Sequence, residues 1–354
     1  MASLLPENGG DGSTGAVFLG IENDRLGNFS GQGKFGAGDI NGDGFDDLAF
    51  IKAANEFGPT AAYVLFGSAD GIDPSIDLDS LTSAQGMRIV GTESIDITAA
   101  DRDRLGGHAR IDVVGDTNGD GYDDVVLNTP LLKDATGALR GGAFVVYGDA
   151  MLPTELDLSN LSAGAGYQLE LPVGTPGFDD AREVGLYVGG VGDVDNNGLA
   201  DFLISTPGDQ SSFTGSIVVL GSTSIPEEGH LNLAELTEDR GFYVDFSLIH
   251  TDKAQPSHGD LNGDGIDDIV FGWGMVRFGM DSTQAPHPFG SRISMLTPSF
   301  ADSYPGLPVM QQGEGFYYNV GSYQSISLSG DIDGDGVDDL LVGDFRTSYL
   351  GRTR

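Results

Sequence analysis

Residues 38–50 read GDINGDGFDDLAF, a stretch that packs Asp39, Asp43, Asp46 and Asp47 into one short loop ahead of an apolar run. Two like unit charges 4 Å apart repel by roughly 4 kcal/mol at an effective dielectric near 20. A compact loop of this composition therefore needs a counter-charge. The stretch returns four times, as GDTNGDGYDDVV from 115, GDVDNNGLADFL from 192, GDLNGDGIDDIV from 259 and GDIDGDGVDDLL from 330. The leading aspartates, Asp39, Asp116, Asp193, Asp260 and Asp331, lie 77, 77, 67 and 71 residues apart. Self-similarity at a nearly fixed period marks a repeat architecture.

More than the loop repeats. A glycine-bounded segment precedes it at 26–39, 105–116, 184–193 and 320–331. An apolar strand follows, then a second such as AAYVLFG (61–67), GGAFVVYG (141–148) or TGSIVVLG (214–221). A further short segment comes next: GMRIVG (86–91), GYQLEL (166–171), GFYVDF (241–246) or GFYYNV (315–320). The connectors echo one another as IDLDSL, LDLSNL and LNLAEL. Short apolar runs between glycine turns predict an all-β chain, and 56 glycines in 354 residues are more than twice the usual ~7%.

Each unit thus reads as four strands, with the acidic loop joining the first two. Four-stranded sheets repeated along a chain predict a single β-propeller over 1–354, and an elongated solenoid is the alternative. The units are 26–91, 105–171, 184–246, 250–320 and 321–354. The last supplies strands near 322–329, 338–343 and 347–352 and lacks a fourth. GAVFLG at 15–20 resembles the fourth-strand segment GMRIVG, so an N-terminal strand closing a ring of about five blades is the expectation.

The loop has the form D-x-[DN]-x-[DN]-G-x-x-D. Side-chain oxygens stand at positions one, three and five, glycine at six permits a sharp turn, position seven offers its carbonyl, and a carboxylate at nine closes the set. Six to eight oxygens at 2.3–2.6 Å are what Ca²⁺ takes, whereas Mg²⁺ asks for a tighter octahedron. Soft ligands for zinc or copper are missing. The helical calcium hand puts glutamate at twelve; here twelve is Phe50, Leu127, Ile204, Phe271 or Val342, so the ion is expected in a β-hairpin. The expected ligands are Asp39, Asn41, Asp43, Phe45 and Asp47 in the first loop, and Asp116, Asn118, Asp120, Tyr122 and Asp124 in the second. The third offers Asp193, Asp195, Asn197, Leu199 and Asp201, and the fourth Asp260, Asn262, Asp264, Ile266 and Asp268. The fifth offers Asp331, Asp333, Asp335, Val337 and Asp339. About five Ca²⁺ ions follow. The aspartates at position eight (Asp46, Asp123, Asp267, Asp338) read as strand-edge residues, because Ala200 replaces one of them.

The loop, the glycine-rich strand before it and the G-x-x-V-V-x-G strand after it resemble the FG-GAP repeat of integrin α-subunit propellers, which also occurs in bacterial surface and secreted proteins. Among the segments that lead into the five loops, only the first keeps the literal Phe-Gly, as Phe35-Gly36. The resemblance implies a propeller with calcium in hairpins on one face, and extracellular adhesion or recognition.

A net charge of −37, from 54 acidic and 17 basic residues, argues against nucleic acid and anionic membranes as partners. No run of about 18 apolar residues marks a membrane span, and MASLLPENGGDG lacks the pattern of a signal peptide. Zero cysteines exclude a disulfide framework. His108, His230, His250, His258 and His287 form no spaced metal pair, and there is no G-x-S-x-G, so no catalytic residue is assigned. The loops opposite the calcium hairpins carry Arg102, Arg104, Arg140, Arg277 and the single Trp273; these are the candidate contacts for a protein or polysaccharide ligand on a cell surface or matrix. A carbohydrate-active enzyme (lyase or hydrolase) or its binding propeller is the first alternative. A structural segment of a larger surface protein with flanking domains is the second.

Overall fold

A computed structural model describes residues 17–19, 25–26, 36–53, 61–71, 75–91, 110–128, 142–170, 187–206, 215–224, 226, 229–233, 236–245, 256–271, 275–282, 292–294, 314–317, 324–328 and 330–344. Regular structure among them is β, with only short 3-10 turns such as Leu78–Ser80 and Leu158–Asn160. No helix there is long and apolar enough to cross a membrane.

The second repeat shows the plan. Ile111–Gly115, Asp124–Asn128, Ala143–Val146 and Gly166–Glu170 form four neighbouring antiparallel strands. The acidic loop joins the first two, as the repeat predicts. Tyr187–Gly192, Asp201–Thr206, Gly215–Val219 and Gly241–Asp245 repeat the arrangement in the third sheet. Ser257–Gly259, Asp268–Phe271, Met275–Arg277 and Gly315–Tyr317 repeat it in the fourth. In the first sheet, Arg25–Leu26 and Gly36–Gly38 both lie on Asp47–Ala53, followed by Ala61–Leu65 and Gly86–Val90. The fifth sheet shows Gln324–Leu328 paired with Leu340–Asp344.

One feature departs from the four-stranded expectation. The connector of each following unit adds a parallel strand to the outer edge of the sheet before it. Glu155–Asp157 pairs with Gly86–Val90, His230–Asn232 with Gly166–Glu170, and Arg292–Ser294 with Gly241–Asp245. The echo among the connectors is therefore an edge-covering device for the first three sheets. Val17–Leu19 pairs with the first unit's connector, Ser75–Asp77, in the same parallel fashion. In the first three sheets it is the fourth strand that makes this parallel pairing with a connector. The third strand expected near 347–352 lies outside the described residues, and so does the pairing that would close a ring.

The sheets pack face to face. Ala49, Val64 and Met87 of the first sheet meet Val125, Leu127 and Phe144 of the second. Val126, Val145 and Tyr167 on the other side of the second meet Phe202, Ile204 and Ile217 of the third. Leu203, Val218 and Phe242 meet Ile269, Phe271 and Met275 of the fourth. Both faces of a middle strand are thus buried, which is why Asp124–Asn128 and Ala143–Val146 read as unbroken apolar runs rather than alternating ones. Consecutive first strands lie against one another from the first sheet to the fifth, so the five acidic loops form a series along one end.

Candidate functional site

Each acidic loop is built by the same hydrogen bonds. In the second, one oxygen of Asp116 accepts from the Gly119 and Asp120 amides (2.6 and 3.3 Å) and the other from Gly121 (2.8 Å). Asn118 Oδ1 accepts from the Asp120 amide (2.8 Å), and Asp120 Oδ1 from Tyr122 (3.0 Å). The first loop repeats this through Asp39, Asn41 and Asp43. The third uses Asp193, Asp195 and Asn197, the fourth Asp260, Asn262 and Asp264, and the fifth Asp331, Asp333 and Asp335. Side chains at one, three and five therefore turn inward together. An ionised carboxylate has about four acceptor sites: two amides on Asp39 and Asp193 and three on Asp260 and Asp331 leave room for a cation, whereas four amides crowd onto Asp116.

Left-handed backbone makes the tight curl. Gly121 and Gly336 at position six have φ of 90° and 91°, a region costly for residues with a Cβ. Position four is left-handed as well, which the sequence pattern did not flag. The third loop places Asn196 there, at φ 57°, a residue type that tolerates this conformation.

The ninth-position carboxylates lie deeper. Asp47, Asp124, Asp201 and Asp268 are all buried. One oxygen of Asp124 accepts from the Thr117 amide (2.9 Å) and hydroxyl, and the other from the Gly148 amide (3.0 Å) at the end of the third strand. Asp47, Asp201 and Asp268 take the same pairs of amides: Ile40 with Gly67, Val194 with Gly221, and Leu261 with Gly279. These residues thus tie the loop to its own sheet. Burial pushes the Asp47 carboxyl up to about 6 and those of Asp124 and Asp268 to about 7. It drives Asp201 well above the usual range, with Asp195 adding repulsion. A cation beside them would reverse that tendency.

Two acidic sets converge closely. Oxygens of Asp193, Asp195 and Asp201 lie within 4.8 Å of one another, as do those of Asp331, Asp333 and Asp335. Two oxygens on one Ca²⁺ can be at most about 5 Å apart, twice a bond of 2.3–2.6 Å. Both sets therefore fit a single hard cation. The loops with Asn at position three bring a neutral oxygen into the same place.

The position-eight aspartates have a role that sequence reasoning missed. Asp123 Oδ2 accepts the amide of Asp39 in the preceding loop (2.8 Å), Asp267 that of Asp193 (2.9 Å), and Asp338 that of Asp260 (3.1 Å). Asp267 is partly buried, but its His258 partner, 3.7 Å away, and the Asp193 amide hold its carboxyl below the ordinary value. These aspartates latch one repeat to the next.

Arg102, Arg104, Arg140 and Trp273 of the expected ligand face lie outside the described residues. Arg277 is described. Its guanidinium is buried and paired with Glu314 at 2.9 Å rather than turned to solvent, so it serves the packing of the fourth sheet.

No family model matches the chain, and no curated protein matches it. Among solved structures it is similar to an exotype rhamnogalacturonan lyase, YesX, at 14% identity and a TM-score of 0.40. The likeness covers 73% of this chain and spans 44% of that one.

Proposed function

We propose that this chain is a calcium-binding recognition module of the FG-GAP type: a propeller of about five blades, closed by its N-terminal strand, working at the cell exterior. The convergence of Asp193, Asp195 and Asp201 in a loop whose hydrogen bonding recurs five times carries the reading. Such a donor set is hard, anionic and mutually repulsive, and Ca²⁺ satisfies all three properties. Its role is structural: a cation that binds the folded state alone stabilises it by mass action. Cross-linking each hairpin in this way does the work of disulfides in a chain that has no cysteine. The ligand is a protein or polysaccharide of a cell surface or matrix, met on the face opposite the acidic loops.

Titration calorimetry in chelator-treated buffer, followed by glycan and matrix-protein arrays with and without Ca²⁺, tests both halves. Saturable Ca²⁺ uptake with calcium-dependent array binding supports the reading. Absence of uptake at millimolar Ca²⁺ overturns it.

A further inference from the structure

Position eight stands between two expected ligands of its own loop, at seven and nine, and its backbone meets the leading residue of the loop before. The amide of Asp123 donates to the carbonyl of Asp39, Ala200 to Asp116, Asp267 to Asp193, and Asp338 to Asp260. Where position eight is aspartate, its carboxylate also accepts the amide of that leading residue. Three junctions therefore hold the leading aspartate by both its N–H and its C=O. The carboxylate of the same residue is the first ligand of its loop.

The junction between the second and third loops is built differently. Ala200 keeps the backbone bond to Asp116, 2.8 Å long, but has no carboxylate to offer the Asp116 amide. Its side chain lies where the aspartates lie. A Cβ on Gly115 would meet the Ala200 Cβ at 2.7 Å, as one on Gly38, Gly192 or Gly259 would strike the carboxylate of Asp123, Asp267 or Asp338 at 2.1–2.3 Å. A carboxylate–amide bond is present at this junction too, but Asp112 supplies it to Gly190 (3.2 Å), between first strands rather than between loops. Other backbone bonds do not set the junction apart, since Ser222 donates to the Thr117 carbonyl here as Asp149 does to Ile40 and Met280 to Val194 elsewhere.

We propose that the calcium loops are coupled in series, that the position-eight aspartates are the positioning residues that carry the coupling, and that Ala200 interrupts it between the second loop and the third. This rests on the calcium reading above. The carboxylates of an empty loop repel one another, and a cation draws them together. Drawing in the ligands at seven and nine fixes position eight between them. Where an aspartate is present, that fixes the N–H and C=O of the previous leading residue, so the earlier loop has less ordering left to undergo when its own ion arrives. Linkage makes the effect mutual: each site raises the affinity of the other by the same factor. The first and second loops thus assist one another, as do the third and fourth and the fourth and fifth. The second and third fill independently.

Amide NMR of the isotope-labelled chain, titrated with Ca²⁺ after chelation, reads each loop separately. The amides of Gly44, Gly121, Gly198, Gly265 and Gly336 each donate to the leading carboxylate of their own loop, so each signal moves as its own site fills. In the unaltered chain, the Gly44 and Gly121 curves should be steeper than single-site binding; single-site curves at every loop overturn the proposal. Asp120→Ala removes a ligand of the second loop and leaves Asp123 in place. It should weaken uptake at the first loop by about fivefold or more and leave the Gly198 curve where it was. An unmoved Gly44 curve, or equal weakening of the first and third loops, overturns the proposal. Asp123→Ala separates coupling from mere packing: in that background, adding Asp120→Ala should have no further effect on the first loop, and a full additional loss counts against the aspartate as carrier. Ala200→Asp should do the reverse, making the third loop sensitive to Asp120→Ala, and a third loop that stays indifferent counts against the interruption. Glycine signals that never move in millimolar Ca²⁺ sink the calcium reading itself, whereas signals that move independently sink the coupling alone.

Discussion

Replacing Asp123 by alanine removes a single acceptor from the junction between the first and second repeats. The Asp39 amide, 2.8 Å from Asp123 Oδ2 and partly buried, would lose its partner. Hydrogen bonds to charged groups contribute about 1.5–3 kcal/mol, and leaving a buried donor unsatisfied costs about 1–3 kcal/mol. An opposing effect reduces that loss. Burial raises the Asp123 carboxyl, and the charges of Asp39, Asp46 and Asp116 add to the rise, so deleting the charge relieves strain. The net expectation for Asp123→Ala is a loss of about 1–2 kcal/mol. Asp123→Asn keeps an acceptor oxygen and drops the charge, and should lose much less. Guanidinium unfolding in saturating Ca²⁺ measures both, with the slope checked for constancy so that the midpoint shift reports stability. Equal losses for alanine and asparagine would show that hydrogen-bond acceptance is not what Asp123 supplies. A neutral alanine variant would refute the latch altogether.

Further outcomes follow from the same geometry. In chelator, stability should increase as pH falls from about 8 to 5.5: burial raises Asp47, Asp124 and Asp268 to about 6–7 in the fold, above the unfolded value near 4, so their contribution is present at low pH and lost as pH rises through 6–7. Saturating Ca²⁺ should flatten or invert that slope, which pH-dependent thermal scans will show. Gly336→Ala puts a Cβ at φ 91° with nothing nearby to strike, so its cost is conformational, about 1–2 kcal/mol, and calorimetry should find fewer or weaker sites. Gly334→Asn should be tolerated within about 0.5 kcal/mol by denaturant unfolding, because Asn196 already occupies the equivalent position; a loss comparable to Gly336→Ala would contradict this.

Much of the fold is legible in the chain because each unit's information is local. The loop formula gives the turn, the apolar runs give the strands, and the spacing gives the repeat. The oxygen positions in the loops are legible for the same reason: Asp193, Asp195 and Asn197 alternate along a short curl, and the curl turns them inward together. Contacts between units are the part that local pattern conceals. Asp123 looks like one more aspartate beside Asp124, yet the first reaches back to Asp39 and the second holds Gly148 of its own sheet. The recurrence of Asp46, Asp123, Asp267 and Asp338 was a visible signal, but its meaning depends on which loop lies alongside. The parallel edge strands are similar. IDLDSL, LDLSNL and LNLAEL announce a shared role, and only the pairing of Glu155–Asp157 with Gly86–Val90 shows that each serves the preceding sheet. Arg277 marks the opposite error: a scarce cation in a loop-rich region reads as a surface contact, whereas Glu314 holds it inside.

Native mass spectrometry of the intact chain, titrated with Ca²⁺ after chelation, addresses the central claim most directly. The account predicts stepwise uptake of about five ions, with one step lost in each of the variants Asp39→Ala, Asp116→Ala, Asp193→Ala, Asp260→Ala and Asp331→Ala. A folded chain that takes up no ion in millimolar Ca²⁺, or variants that leave the number of steps unchanged, would contradict it.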